Sequence, residues 1–201
     1  MILIDIGSVL RENWLEIAAV TTGALSVYLS VREKVANWPV GIVNVALYAL
    51  FFWRVKLYAD MGLQVVYFVL SFYGWYEWLY GGSEKTALPI TRGTPELLIR
   101  VSIIGFIAAA VLGTILARYT DAALPFLDSS LTATSLVAQY LITVKKIENW
   151  LFWLAADVVY VGLFIFKGVY LTAALYGLFL VLAAIGYVAW KRTLLAQPAL
   201  A

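Results

Sequence analysis

Seven continuous apolar runs, each about as long as a helix needs to cross the hydrocarbon core of a bilayer, decide what this chain can fold into. They lie at about residues 14–31, 38–53, 58–78, 97–117, 131–144, 150–166 and 170–190. None shows the apolar/polar alternation of a barrel strand. A backbone in lipid must satisfy its own N–H and C=O groups, which leaves helices. Composition agrees, since 64% of the 201 residues are hydrophobic and 13% charged, against about half and about a quarter in soluble chains. The expected class is all-α and integral to the membrane, with residues 1–201 as a single membrane domain. Residues 1–11 lack the basic start and cleavage site of a signal peptide, Asp5 interrupts their apolar stretch, and they read as an interfacial lead-in. Pro39 falls at the first helical position of its span and Pro89, Pro95, Pro125 and Pro198 fall in connections, so no span carries a proline kink.

Charge and chemistry exclude several functions. Fourteen Lys and Arg against twelve Asp and Glu leave a net charge of +2, spread in short clusters between the runs. That is no footprint for nucleic acid. With no Cys and no His, thiolate nucleophiles, histidine bases and the usual zinc or haem ligands are missing, so no catalytic residue, cofactor or metal site is expected. Seven crossings put the termini on opposite sides. Arg32, Lys34, Lys85, Arg92, Arg100, Lys145, Lys146, Lys191 and Arg192 fall on one side, and Arg11, Arg54, Lys56, Arg118 and Lys167 on the other. The positive-inside bias then places the C-terminus in the cytoplasm and the N-terminus outside.

A shift of 112 residues aligns Asn37-Trp38 with Asn149-Trp150 and runs without a gap to Trp78 and Trp190. Ten of 42 positions are identical, among them Tyr48/Tyr160, Phe52/Phe164, Tyr58/Tyr170 and Gly74/Gly186, against about three or four expected by chance in such a composition. Thr22/Thr134, Tyr28/Tyr140, Leu29/Leu141 and Lys34/Lys146 extend the register upstream. Spans one to three thus recur as spans five to seven, entering from the same side: repeat one at 14–78, a linker helix at 97–117, repeat two at 127–190. This is a parallel three-plus-one-plus-three arrangement, in which a substrate site is expected at the repeat interface near the midplane. Gly105, Ala109 and Gly113 in the linker span have the spacing that lets a neighbouring helix approach closely.

Polar groups inside the spans point to that site, because each costs several kcal/mol if left unsatisfied in hydrocarbon. Asp157, in the middle of span six, is the sharpest. At 100° per residue it shares a stripe with Trp150, Trp153 and Tyr160, with Asn149 at the edge. An ion pair with Lys167 or Arg54 is the structural alternative. Span five aligns Thr132, Ser135, Gln139 and Thr143, with Thr134 nearby; span three aligns Gln64, Tyr67, Ser71, Trp75 and Trp78; span two aligns Asn37, Asn44 and Tyr48. Four such stripes converging would line a pocket for a flat cationic ring bearing hydroxyls. Indole faces attract cations, and amides and hydroxyls match a sugar. A phosphate finds no Arg or Lys cluster at depth and no Gly-rich loop.

The segments Asn37-Trp38-Pro39-Val40-Gly41, Leu57-Tyr58-Ala59-Asp60, Tyr73-Gly74-Trp75-Tyr76-Glu77-Trp78 and Glu148-Asn149-Trp150-Leu151-Phe152-Trp153 resemble the PnuC family of bacterial nicotinamide riboside transporters, over about residues 14–192. The resemblance implies a SWEET-like fold, a homotrimer in the bacterial inner membrane, and facilitated diffusion of unphosphorylated nicotinamide riboside with trapping by a cytoplasmic kinase. The resemblance singles out Trp150 and Trp153 followed by Asp157, and with the stripes the candidate substrate site is Trp150, Trp153, Asp157, Asn149, Tyr160, Gln139, Gln64, Asn44, Tyr48, Trp75 and Thr134. Thiamine, another flat cation carried by relatives, remains an alternative ligand. So does a role as the substrate-binding subunit of an ATP-driven vitamin importer, which the repeat argues against; a membrane enzyme is left with little chemistry.

Overall fold

The computed structural model describes residues 6–54, 58–121, 123–166, 168 and 170–196. Among them seven α-helices follow one another: α1 (Ile6–Val31), α2 (Asn37–Arg54), α3 (Tyr58–Tyr80), α4 (Pro95–Tyr119), α5 (Pro125–Thr143), α6 (Asn149–Phe166) and α7 (Tyr170–Ala196). Each expected span coincides with one helix, and the differences lie at the ends. The lead-in is helical from Ile6 and continuous with α1. Pro95 and Pro125 open α4 and α5 rather than lying in connections, as a residue without an N–H can where that N–H has no intrahelical acceptor. The Thr94 side chain caps α4 by accepting from the Leu97 N–H at 3.2 Å. α2 starts one residue before its span, so Pro39 is its third residue and still within the first turn.

Among the described residues three helices are long and apolar enough to cross a membrane by length and composition: α4, α6 and α7 from Thr172 to Ala196. α5 is more polar, yet it buries more residues than any other helix, including Ser129, Ser135 and Thr143. It packs against both α4 and α6, and its Ser129, Ser130, Thr134 and Thr143 hydroxyls donate to carbonyls of their own helix. α4 instead turns a wide apolar face outward, with Phe106 75% and Ile99 60% exposed, as a lipid-facing helix does.

The chain divides into two compact units, Met1–Tyr76 and Glu77–Ala201, with the boundary inside α3. In the first, α1 packs on α2, and Trp38 lies against Gly74 of α3, where a Cβ would collide with its ring. In the second, α4, α5, α6 and α7 pack in succession. Val101, Val137 and Leu141 form an apolar cluster with Leu97, Leu98, Tyr140 and Phe152 around them. Gly105 faces Val137, and Gly113 faces Phe126. The helix that approaches the small residues of α4 is therefore α5 of the same chain.

Equivalent turns repeat bond for bond. At the end of α1, Arg32, Glu33 and Lys34 donate to the carbonyls of Tyr28, Ser30 and Leu29; at the end of α5, Val144, Lys145 and Lys146 donate to Tyr140, Ile142 and Leu141. Asn37 and Trp38 then donate to Lys34 and Val35, as Asn149 and Trp150 donate to Lys146 and Ile147. Glu33 (φ 54°) and Lys145 (φ 50°) hold the left-handed position of this helix stop. The rings obey the same register: Tyr48 stacks on Phe52 at 5.8 Å, and Tyr160 on Phe164 at 6.1 Å.

Candidate functional site

Asp157 is 4% exposed. Among the described residues no side chain hydrogen-bonds or ion-pairs with its carboxylate. Of the two cations considered as structural partners, Arg54 lies over the Trp14 ring at 5.9 Å within the first unit, and Lys167 lies outside the described residues. A buried carboxylate left open in this way is costly, which marks Asp157 as the strongest candidate for contact with a ligand.

Its companions on α6 divide into two kinds. Trp153 and Tyr160 are half-buried. Tyr160 lies 4.4 Å from Tyr176 of α7, which also stacks on Phe164 at 5.3 Å, so three rings form a wall between α6 and α7. Tyr176 escaped the reading of polar stripes, although the 112-residue register pairs it with Gln64 and so could have found it. Trp150 and Asn149 are packed in the interior, and among the described residues Trp150 Nε1 and Asn149 Oδ1 meet no hydrogen-bond partner. The Trp150 ring is 1% exposed, meets Trp190 edge-on at 5.4 Å, and presses on Gly186. Asn149 is fully buried and its amide donates to the Lys146 carbonyl at 2.7 Å, tying the first residue of α6 to the preceding turn. Trp78 joins the same layer, 5.9 Å from Trp190, with its indole N–H on the Ile142 carbonyl at 2.9 Å.

On α5 the Thr134 hydroxyl donates to Ser130 at 2.7 Å and the Thr143 hydroxyl to Gln139 at 2.8 Å, both back to their own helix. Thr134 retains accepting capacity only. The half-buried Gln139 side chain makes no hydrogen bond among the described residues.

In the first unit Asn44, Tyr48, Gln64 and Trp75 are all half-buried. The Asn44 amide donates to the Ala19 carbonyl and, at 3.2 Å, to the Thr22 hydroxyl. Its NH₂ therefore locks α2 to α1, and only the carbonyl oxygen is left for anything else. Gly23 gives it room, because a Cβ there would lie 3.2 Å from Asn44 Nδ2. Trp75 lies 6.5 Å from Phe72 on the same helix.

The profile of a family described as nicotinamide mononucleotide transporter matches residues 13–192. The chain belongs to this family, the PnuC transporters. It is thus a multi-pass membrane protein of a bacterial transporter family. The nicotinamide riboside transporter PnuC of Escherichia coli is 31% identical, over 79% of this chain and 77% of that one. The nicotinamide riboside transporter PnuC of Neisseria mucosa is 29% identical, over 90% and 73%. The riboflavin/roseoflavin transporter RibM of Streptomyces davaonensis is 26% identical, over 75% and 71%. A crystal structure of the vitamin B3 transporter PnuC shares the fold, with a TM-score of 0.73 and 24% identity over 94% of this chain and 85% of that one.

Proposed function

We propose that this PnuC family member carries nicotinamide riboside across the bacterial inner membrane by facilitated diffusion, without a coupled ion. In this reading a cytoplasmic kinase phosphorylates the vitamin, feeding NAD biosynthesis and preventing its return. α1–α3 and α5–α7 form two parallel triplets joined by α4, the N-terminus is outside, and three copies associate. The bond-for-bond match of the α1–α2 and α5–α6 turns supports the repeat, and the names of the relatives from Escherichia coli and Neisseria mucosa support the substrate.

One observation carries the chemistry: a buried carboxylate without a partner among the described residues, Asp157, one helical turn from the half-buried indole of Trp153. A pyridinium satisfies both, since a ring cation over an indole face contributes about 2 kcal/mol when desolvated. Tyr160 continues that wall. In the same unit Gln139 and the Thr134 oxygen remain for the carboxamide and ribose. Trp150 and Asn149 then act from behind, holding the start of α6 against α7 and the preceding turn.

The stripes carry no Lys or Arg for a phosphate, so the riboside is favoured over the mononucleotide. The test is tryptophan fluorescence on the purified protein, titrated with nicotinamide riboside, nicotinamide mononucleotide, thiamine and riboflavin. The riboside binds tightest, and Trp153→Ala together with Asp157→Asn abolishes its binding. Unchanged affinity in that double variant overturns the site. Counterflow in liposomes holding this protein alone tests transport; its absence would favour a subunit that depends on ATPase partners.

A further inference from the structure

The 112-residue register also shows where its two halves differ. Along α2 one stripe reads Trp38, Gly41, Val45, Tyr48 and Phe52; along α6 it reads Trp150, Trp153, Asp157, Tyr160 and Phe164. The rings at the ends match, and the two middle positions gain an indole and a carboxylate. Both ends of the α6 stripe meet α7: Trp150 presses on Gly186, and Phe164 lies 5.3 Å from Tyr176 with the rings 26° from parallel. Seven residues make two helical turns less about 20°. Asp157, seven residues from each of Trp150 and Phe164, therefore leaves α6 in the same direction, towards α7. That stretch of α7 is apolar, with no polar side chain between Tyr176 and Tyr187 and with Ala183 buried. Past Asp157 the seam is closed by rings. Tyr176 lies 4.4 Å from Tyr160 as well as 5.3 Å from Phe164, and Phe179 meets it edge-on at 6.0 Å. A ring inserted between two others needs their centres about 7 Å apart, twice the carbon contact distance of about 3.5 Å. No ligand ring passes between α6 and α7 at this level while Tyr176 keeps its place. On α7 the register keeps Gly186 and Trp190, as Gly74 and Trp78, but pairs Tyr176 with Gln64.

We propose that Tyr176 is a specificity-determining residue of the site: by holding the Tyr160 and Phe164 rings it ends the chamber beyond Asp157, so that a cation of one aromatic ring is accepted and fused rings are excluded. This rests on the transport reading above for the position of the ligand. Trp153 and Tyr160 are seven residues apart, about 10 Å along the helix, and Asp157 stands between them. A single ring set against Trp153 and within reach of Asp157 stops short of the Tyr160 and Tyr176 pair. A second ring fused to it runs into that pair. It then either displaces Tyr176, which loses its packing on two rings, or draws the charge away from the carboxylate. Exclusion of this kind separates ligands that make the same attractive contacts. A glutamine at this place, the residue that the register supplies, has no ring with which to hold the other two.

The test uses two ligands that differ by one ring: nicotinamide riboside and its benzo-fused quinolinium analogue, equal in charge, carboxamide and ribose. Each is titrated into the purified full-length protein in nanodiscs by isothermal calorimetry. The quinolinium is expected to bind at least about tenfold more weakly than the riboside. Tyr176→Phe, which keeps the ring, keeps that ratio, whereas Tyr176→Gln lowers it at least about fivefold. A residue that only supported the fold would weaken both ligands alike when replaced, so an unchanged ratio in a folded Tyr176→Gln protein overturns the proposal. Equal binding of the two ligands by the unaltered protein overturns it as well, and that comparison needs no variant to fold. Tyr176→Leu, which keeps the seam apolar, is read in the same way if the glutamine variant does not fold. If the riboside binds and the ratio does not move, Tyr176 alone is misassigned; if the riboside does not bind, the proposed substrate falls and this assignment with it.

Discussion

Replacing Gly186 by Ala tests whether Trp150 is packing or lining. A Cβ at Gly186 would lie 2.6–2.7 Å from Cζ2, Cε2 and Cη2 of the Trp150 ring, where carbon atoms normally rest about 3.5–4.0 Å apart. The ring has nowhere to retreat, since it is 1% exposed and its edge already meets Trp190 at 5.4 Å. Either α7 moves out by about 1 Å or the indole leaves its rotamer, a change that costs about 1–3 kcal/mol in a packed interior. Ala gains at most about 1 kcal/mol of helix propensity over Gly. The expected net loss is up to about 2 kcal/mol, which lowers the melting temperature by up to about 8 °C in a chain of this size, against a neutral or raised value in the controls. Gly177 on the same helix and Gly162 on α6 are the controls, because a Cβ at either meets nothing within 4 Å; Ala there is neutral or stabilising. Thermal unfolding in detergent, followed by intrinsic fluorescence, separates the cases. Combining Gly186→Ala with Trp150→Phe recovers about 1 kcal/mol or more as a coupling energy. A Gly186→Ala protein as stable as Gly177→Ala would show that the Trp150 ring is free to move, and the packing role assigned to it would be wrong.

Gly105→Leu wedges α4 away from Val137, which a Cβ alone would approach to 3.0 Å, and is expected to cost about 1–3 kcal/mol in thermal unfolding. Asn44→Leu removes the donor to Ala19 and Thr22; interhelical hydrogen bonds in membranes average about 0.6 kcal/mol and reach about 1.7, and a loss within that range is expected on unfolding. Asp157→Asn alone keeps the fold but weakens nicotinamide riboside binding by at least about tenfold, the equivalent of 1.4 kcal/mol, while binding of a neutral flavin, if any, is unaffected; equal loss for both ligands would argue that Asp157 acts through structure rather than charge.

The helices were legible because hydrocarbon thickness and backbone satisfaction leave a long apolar run few alternatives; the residual error lay at Ile6, Pro95 and Pro125, where a helix can lengthen without altering what it buries. The matched turns were legible because the Asn-Trp pair that opens α2 and α6 is buried at both places. Asp157 was legible for a related reason: a carboxylate in an apolar run is costly wherever its helix packs. Less could be read from the aromatic and hydroxyl stripes. Trp150 and Trp153 are one turn apart and look alike as sequence, yet one presses on Gly186 and the other is half-buried. Thr134 and Thr143 read as pocket hydroxyls, and both donate to their own helix.

What the sequence determined by itself, then, is everything governed by the solvent: seven helices, their apolar faces, a duplicated turn and one acid that does not belong in hydrocarbon. Tertiary structure alone decided which rings are spent on packing and which cation is buried. A helical period sets the direction in which a side chain leaves its own axis, whereas its fate depends on what stands opposite. For Trp150 and Lys145 that is a glycine on α7 and the Leu88 carbonyl in the α3–α4 connection, both brought there only by folding.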